Sequence, residues 1–316
     1  MNQQIRNSPE TRQGIEPRLD PEGLFDLRYR AFLETVSHLR VRLHRYCARM
    51  TGSAIDGEDI VQDALIKALE AFDREPVASP EAWLFRIAHN TALDHLRRRA
   101  RQEAFGSEED PDMIVDPVMP TDERVAAAAS LHTFMRLSVA QRSSIILMDV
   151  LGYSLDEIGG ITGSSIPAVK AALHRGRARL RAALDEPDDR PPPALGEAER
   201  ARLAAYVERF NSRDFDALRD MLAEDVQVEL VTRTRLRGRA EVSGRYFGNY
   251  SRAYDWHFEP GFVDRRPALI ARDPNDPTRR PAYFMLLSWS SGQVATIRDF
   301  RHAPYVIEGA EVNAIE

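Results

Sequence analysis

The sequence predicts a multidomain chain: two all-α helical domains followed by a C-terminal α+β domain. Three observations carry that expectation. Apolar residues recur at three- and four-residue steps through most of the chain up to Leu184, which is the helical period. A proline-rich stretch, DEPDDRPPPALG at 185–196, then divides the chain and reads as a semi-rigid spacer. Beyond it, helical segments give way to strand-like runs rich in aromatic and β-branched residues, with turn signals between them. Helices first and strands after indicate a sheet that curls around its helices.

Composition narrows the classes. At 316 residues the chain is long enough for roughly two or three domains. Its net charge of −6 argues by itself against a nucleic-acid binder. The charge is uneven, however: 95–101 (HLRRRAR) and 170–181 are basic, while 103–123 and 185–189 are acidic, and local patches decide nucleic-acid contact. Cys47 is the only cysteine, so neither an internal disulfide nor a thiolate metal cluster is expected, in keeping with a reducing cytoplasm. No metal and no cofactor is expected. The segment MNQQIRNSPETRQGIEPRLDPEG has no apolar h-region, so no signal peptide is expected, and no apolar run approaches the ~20 residues of a membrane span.

Taken in order, residues 1–20 are polar with Pro9, Gly14 and Pro17, and read as a disordered tail. From Leu24 to Met50 the residues Phe25, Phe32, Val36, Leu39, Leu43 and Tyr46 mark a helix, which Thr51-Gly52 stops. Segment 57–73 is a second helix, with Glu58 and Asp59 suited to its positive end. Ile60, Val61, Ala64, Leu65, Ala68, Leu69 and Phe72 form its apolar stripe, and Asp59, Gln62, Asp63 and Lys67 stay on or near the other face. Ser79-Pro80-Glu81 starts a third helix, with proline at its first position. There Trp83, Leu84, Ile87, Ala88, Ala92 and Leu96 can pack inward, while Arg86, His89, Asn90, Asp94 and Arg97 to Arg99 can face out. This gives a domain at 21–101. Residues 102–121, acidic and aperiodic with three prolines, read as an extended linker.

A four-helix domain is expected at 122–184. A helix resumes from Asp122 to Leu137, and Ser138 with Gln141 forms a capping box for the next. Ser154 and Glu157 form another, opening a short helix with Leu155, Ile158 and Ile161 on its apolar face. Gly163 and Ser164 turn the chain, Ser165 is an N-cap, and Pro167 fits only the first turn of the helix that follows. That helix has Val169, Leu173 and Leu180 on one side and Lys170, His174, Arg175, Arg177, Arg179 and Arg181 mostly on the rest, with no acid between Ser165 and Leu184. A capped helix, a glycine turn and a basic helix are what a helix-turn-helix DNA reader needs.

This order of motifs resembles the extracytoplasmic-function (ECF) sigma factors of the sigma-70 family over about residues 24–184. The residues that carry the likeness are RMTGSAIDGEDIVQDALIKALEAFD, WLFRIAHNTALDHLRRR and AVKAALHRGRARLR. The resemblance implies a sigma region 2 at 21–101 and a region 4 at 122–184. It further implies that Asp59, Gln62 and Asp63 meet the β′ clamp helices of RNA polymerase core, the β flap being a further contact. Ser79, Arg86, Asn90, Arg97, Arg98 and Arg99 would melt and hold the −10 element, where extruding a base costs a few kcal/mol. Ser165, Lys170, Ala171, His174, Arg175 and Arg177 would read or brace the −35 element. Ala171 and Ala172 stand where the family often has a polar residue and arginine, so Lys170 and His174 become the base readers, with Ala171 against a thymine methyl.

Residues 197–316 resemble a SnoaL-like domain from their opening, YVERFNSRDFDALRDMLAEDVQVEL, which implies a cone-shaped α+β fold. Tyr246, Trp256, His257, Asp299 and His302 could line a pocket in it. The Asp-Gly-Gly-Gly and Asn-Pro-Asp-Lys signatures of one ECF group are absent, and Arg298-Asp299-Phe300-Arg301-His302 occupies the late-strand region. The expected function is promoter-specific transcription initiation in the cytoplasm, modulated by the fused domain. Core polymerase and promoter DNA are the expected partners, with no membrane contact, and a separate anti-sigma factor is compatible but not required. No enzymatic activity is expected. The alternative is a helix-turn-helix regulator with a ligand-sensing or enzymatic C-terminal domain.

Overall fold

The computed structural model describes residues 21–72, 79–103, 126, 129–253 and 256–315. The expected tail at 1–20, the loop at 73–78 and nearly all of the expected linker at 102–121 lie outside them. The chain divides into two compact units after His38, and helix α1 (Pro21–Thr51) begins in the first. Everything from Leu39 onward belongs to the second.

Within that second unit, α1 ends where Gly52 turns left-handed, with φ of +75°. Helix α2 (Ala54–Ala71) starts earlier than the acids at 58 and 59 predict, because Ser53 caps it by accepting the Asp56 N–H. Glu58 therefore sits one turn in and is fully buried, accepting from the Arg40 guanidinium and, at 2.9 Å, from the Tyr305 hydroxyl. The apolar stripe of α2 is buried as its period demands, except that Leu69 is exposed and Phe72 is half-buried. Gly57 lets α2 lie on α1: a Cβ there would stand 2.6 Å from the Ala48 backbone. Helix α3 (Pro80–Glu103) buries Leu84, Phe85, Ala88 and Ala92. His89, expected to face out, is buried instead, with its Nδ1 2.6 Å from the Tyr46 hydroxyl. Trp83, expected inward, is half-buried, and Phe85 takes the core position.

Apart from Ala126, the helix expected from Asp122 to Leu137 reduces, among the described residues, to α4 (Leu131–Phe134). Helix α5 (Val139–Ile145) carries the capping box of Ser138 and Gln141 and passes into a π-wound turn at Ile146–Val150. The Ser154–Glu157 capping box opens α6 (Leu155–Thr162), Gly163 at φ +72° ends it, and Ser165 with Pro167 starts α7 (Ile166–Asp185). The two helical regions are fastened to each other. Buried Arg142 donates to the Met50 and Leu137 carbonyls, and Glu81 accepts from both Arg42 and the Tyr153 hydroxyl.

Residues 186–196 are extended but pinned. Arg190 bridges Asp188 and Glu311, and the Pro191 carbonyl accepts from Arg265 at 2.7 Å. Helices α8 (Glu197–Asn211) and α9 (Phe215–Asp220) follow, then β1 (Leu222–Leu230) and β2 (Thr234–Arg237). A helical run from Arg239, π-wound over Val242–Phe247, ends at Tyr250. It is followed by β3 (His257–Val263), β4 (Arg266–Arg272), β5 (Pro281–Ser290), β6 (Gln293–Asp299), a 3₁₀ turn at Pro304–Gly309, and β7 (Val312–Ala314).

Among the described residues the strands form one seven-stranded sheet of order β2-β1-β6-β5-β4-β3-β7. The expected antiparallel meander holds from β3 to β6, but β1 pairs with β6 in parallel, which makes the sheet mixed. Strand alternation sends Leu269, Ala271, Tyr283 and Met285 to one face. They pack there against Tyr206, Phe210, Tyr246, Phe247 and Tyr250 of the domain's own helices. Ala268, Ile270 and Phe284 point to the other face and, with Phe300, Val306 and Ile307, share a core with Ala48, Ala54 and Ile55 of the first helical region and Leu131 of the second. The sheet is thus buried on both sides, once by its own helices and once by the rest of the chain.

Candidate nucleic-acid interface and its intramolecular partner

The N-terminus of α2 is the point where the sheet grips the helical region. Backbone N–H groups at a helix start lack partners and attract an anion. Asp264, in the β3–β4 turn, supplies one. Its Oδ2 accepts from Ser53 Oγ at 3.0 Å, from Ala54 N at 2.5 Å and from Ile55 N at 3.3 Å. One turn along, Arg266 pairs with Asp56. At the next turn Arg298 of β6 chelates Asp59, with contacts of 2.5 and 3.4 Å, while its Nε reaches Glu229 at 2.9 Å. Burial pushes the Asp59 carboxyl above its ordinary value against the pull of Arg298. Burial pulls the Arg298 guanidinium down, but Asp59 and Glu229 outweigh it and leave it raised. Of the three residues expected to contact a partner from α2, Asp59 is thus engaged within the chain. Gln62 is half-buried and Asp63 is exposed.

Asp63 opens onto a cleft of about 1130 Å³ that also takes in Arg98 and Arg99 of α3. The apolar side of α3 fixes which residues reach it. With Phe85, Ala88 and Ala92 inward, Arg86, Asn90, Arg97, Arg98 and Arg99 fall on the exposed side. Ser79 is exposed too, but its hydroxyl accepts from Ala82 N at 3.4 Å and caps the helix.

On α7, Ser165 likewise caps, accepting from Ala168 N at 3.4 Å. Lys170 is exposed, and Ala171, His174 and Arg175 are half-buried. Arg177, expected at the −35 element, has a different place. Its Nε and Nη2 clasp the two oxygens of Asp149 at 2.9 and 2.6 Å, with both side chains largely buried. A buried bidentate pair holds α7 to the π-wound turn and is a structural joint. Nothing in the sequence separates Arg177 from its neighbours except the distant Asp149.

The residues expected to line a C-terminal pocket are divided by the structure. Asp299 is fully buried. Its Oδ2 accepts from the Tyr246 and Tyr250 hydroxyls at 3.0 and 2.7 Å, and its Oδ1 from the Arg301 backbone N–H at 2.8 Å. Burial pushes its carboxyl up, and these hydrogen bonds oppose the shift. A cavity of about 210 Å³ opens here, with His302 and Asn249 at its exposed mouth. Tyr246, Asp299 and His302 are brought together. Trp256 is not among them: it lies in the aromatic core, beside Phe210 and Tyr250. His257 is exposed at the start of β3, outside the cavity. Tyr250 and Arg301 were missed. A helical spacing of four from Tyr246 and a strand spacing of two from Asp299 are the signals that could have found them.

The chain matches the family models for sigma-70 region 2 at residues 35–102 and sigma-70 region 4 at residues 131–180. It is similar to the ECF RNA polymerase sigma factor SigG of Mycobacterium tuberculosis, 31% identical over 60% of this chain, and spans 59% of that relative's length. It is also similar to the ECF RNA polymerase sigma factor SigW of Bacillus subtilis, 32% identical over 48% of this chain and 87% of that one. Among solved structures, the ECF sigma factor SigJ of Mycobacterium tuberculosis aligns over 84% of this chain and 95% of its own, with a TM-score of 0.33 and 21% identity. No helix of the described residues is long and apolar enough to cross a membrane.

Proposed function

This chain belongs to the ECF sigma factors, and on that footing we propose that it directs promoter-specific initiation by bacterial RNA polymerase core, with its C-terminal domain acting as a built-in restraint. The observation that supports initiation is the pairing of two basic DNA-facing elements on one chain. These are the exposed arginines at the end of α3 and the basic helix of a capped helix-turn-helix. In this reading Arg97 to Arg99 hold −10 phosphates, which position the protein, while Lys170 and His174 carry sequence readout at −35. Asp59, Gln62 and Asp63 meet cationic groups of the clamp helices. The domains follow the boundaries 21–101, 122–184 and 197–316, and the protein works in the cytoplasm alongside polymerase.

The restraint is inhibitory, because Arg298 takes the Asp59 carboxylate that the clamp would need. This ion pair is partly solvent-exposed and contributes about 1 kcal/mol or less. The apolar core shared by Ala54, Ile55, Phe284 and Phe300 supplies the larger share of docking. We assign no catalysis to the C-terminal domain.

The test is transcription in vitro with bacterial core polymerase on a promoter library, comparing the full chain with a form ending at Leu184. Core-dependent initiation at a shared −35/−10 pair, stronger for the shorter form, is expected. Specific duplex binding without core and no initiation by either form would favour an ordinary helix-turn-helix regulator. Equal initiation by both forms would remove the inhibitory role alone.

A further inference from the structure

The face of the sheet that meets the helical regions has two halves. β4 and β5 supply the apolar half, with Ala268, Ile270 and Phe284 in the shared core. β2, β1 and β6 supply a polar half. Val228, Leu236 and Ile297 point to the domain's own helices. Strand alternation therefore sends Gln227, Glu229, Arg235, Arg237, Thr296 and Arg298 to the opposite side. The register sets them in two rows: Arg237, Gln227 and Thr296 in one, Arg235, Glu229 and Arg298 in the other. Together they border a hollow of about 300 Å³. Gln227, Arg235 and Arg237 are exposed, and Glu229, Thr296 and Arg298 are half-buried, so solvent reaches the side chains that line it.

The two rows are unequal in charge. Glu229 lies between two arginines, accepting from Arg235 at 3.1 Å and from Arg298 at 2.9 Å. Gln227 holds the matching place opposite Arg237 and brings no charge. Among the described strand residues, Arg235, Arg266, Arg272 and Arg298 each meet a carboxylate, whereas Arg237 meets none. A guanidinium without a carboxylate, beside the Gln227 amide and the Thr296 hydroxyl, presents the forked donors that hold a phosphate. The three guanidinium groups of the hollow face Glu229 and, from α2, Asp59. One positive charge is left over while Asp59 is in place, and two when it leaves. A phosphate monoester carries about two negative charges above its second pKa of about 6, so it matches the hollow only once Asp59 has gone. The space lies at the lower end of the ~300–1,000 Å³ of ligand sites and admits a phosphate with a small body such as an aromatic ring.

We propose that this hollow binds small phosphate monoesters through Arg237, Arg235 and Thr296, and that the bound dianion competes with Asp59 for Arg298 and so weakens the docking of the sheet on α2. The second half rests on the restraint described under Proposed function. Charge fixes the sign of the coupling. The guest and Asp59 are both anions beside one guanidinium, so each lowers the other's hold on it. Coupling between two equilibria is reciprocal, so a chain without the Asp59 charge must bind phosphate more tightly.

The experiment is titration of the full chain with phenyl phosphate by calorimetry and phosphorus NMR, without polymerase or DNA. It is run at pH 8 and about 0.15 M salt, where attraction beyond about 8 Å is screened. Saturable one-to-one binding is expected. Phenyl sulfate, a monoanion of the same shape, should bind about fivefold more weakly. Arg237→Gln should weaken phenyl phosphate binding about tenfold or more, as should Gln227→Glu, which supplies the carboxylate that Arg237 lacks. Arg245→Gln removes the same charge from an exposed arginine paired with Glu241 outside the hollow, and should leave binding unchanged. Asp59→Asn should tighten binding about threefold or more. Saturating phenyl phosphate should also speed hydrogen exchange at Ala54 and Ile55, whose N–H groups Asp264 holds. Absent saturable binding, equal binding of phenyl sulfate, or equal losses from Arg237→Gln and Arg245→Gln overturn the site. Binding that Asp59→Asn leaves unchanged or weaker, or exchange that phosphate leaves unaltered, overturns the coupling. Either failure leaves the transcription assay free to succeed, so the two readings fail separately.

Discussion

Arg298 on β6 and Asp59 on α2 stand 239 positions apart in sequence and share one ion pair. With Asp264 at the α2 N-terminus and Arg266 at Asp56, it links the C-terminal sheet to the helix assigned to polymerase docking. Replacing Arg298 with alanine is expected to raise core-dependent initiation by up to about fivefold, since about 1 kcal/mol changes a population ratio by that factor. Initiation rates at fixed core concentration measure it. A fall in initiation would mean that the contact supports the active form.

Arg177 and Lys170 lie on the same helix and should behave oppositely. Arg177→Ala leaves Asp149 buried without its cation, which costs about 3–5 kcal/mol and should appear as a large drop in melting temperature. Lys170→Ala should leave melting unchanged and weaken −35 recognition. Thermal denaturation beside promoter binding separates the two, and a thermally silent Arg177→Ala would return that residue to the DNA readers.

Gly57→Ala tests the close approach of α1 and α2. The new methyl would meet the Ala48 backbone at 2.6 Å, where no side chain can turn aside. Overpacking of this kind costs about 1–3 kcal/mol. Denaturant titration should show the midpoint fall. A stability gain, as expected of Gly→Ala in an open helix, would contradict the packing.

His89 sets a pH dependence. Burial against Tyr46 lowers its pKa to about 4, from about 6.5 in an unfolded chain. Between those values the unfolded chain binds more protons, so stability rises with pH. The contribution is complete above about pH 6.5 and is lost progressively down to about pH 4, amounting to about 3 kcal/mol. His89→Phe should flatten stability over that window, measured by denaturant titration at successive pH values. An unchanged slope would place the titration elsewhere.

Asp264→Ala removes an N-cap supplied from a distant part of the chain. Loss of such a cap costs about 1 kcal/mol. Hydrogen exchange should speed at Ala54 and Ile55, whereas unchanged protection there would mean that Ser53 caps the helix unaided.

The local elements were legible because their causes are local. The Ser154–Glu157 box, the left-handed Gly163 and the Ser165-Pro167 start are written within a few residues of the turns they make, and the helix-turn-helix follows from them. The outward set Arg86, Asn90 and Arg97 to Arg99 follows from helical period alone. The sequence less readily yields which charged groups are paired. Arg177 looks like its basic neighbours until Asp149 is brought to it. His89 looks polar and outward until Tyr46 accepts it into the core. The unbroken apolar run Ala268–Ala271 did hold a signal for a strand buried on both faces, but not what would cover its second face.

The sequence by itself determined the three-part order, the helix-turn-helix and the family, because periodicity, capping and turn chemistry act over a few residues. Only the tertiary structure decided that the sheet packs its second face on the helical regions, that Asp264 caps a helix more than two hundred residues away, and that Asp59 is held by Arg298. Those depend on which distant groups meet, and an ion pair or shared core between remote segments leaves no mark on the residues beside it.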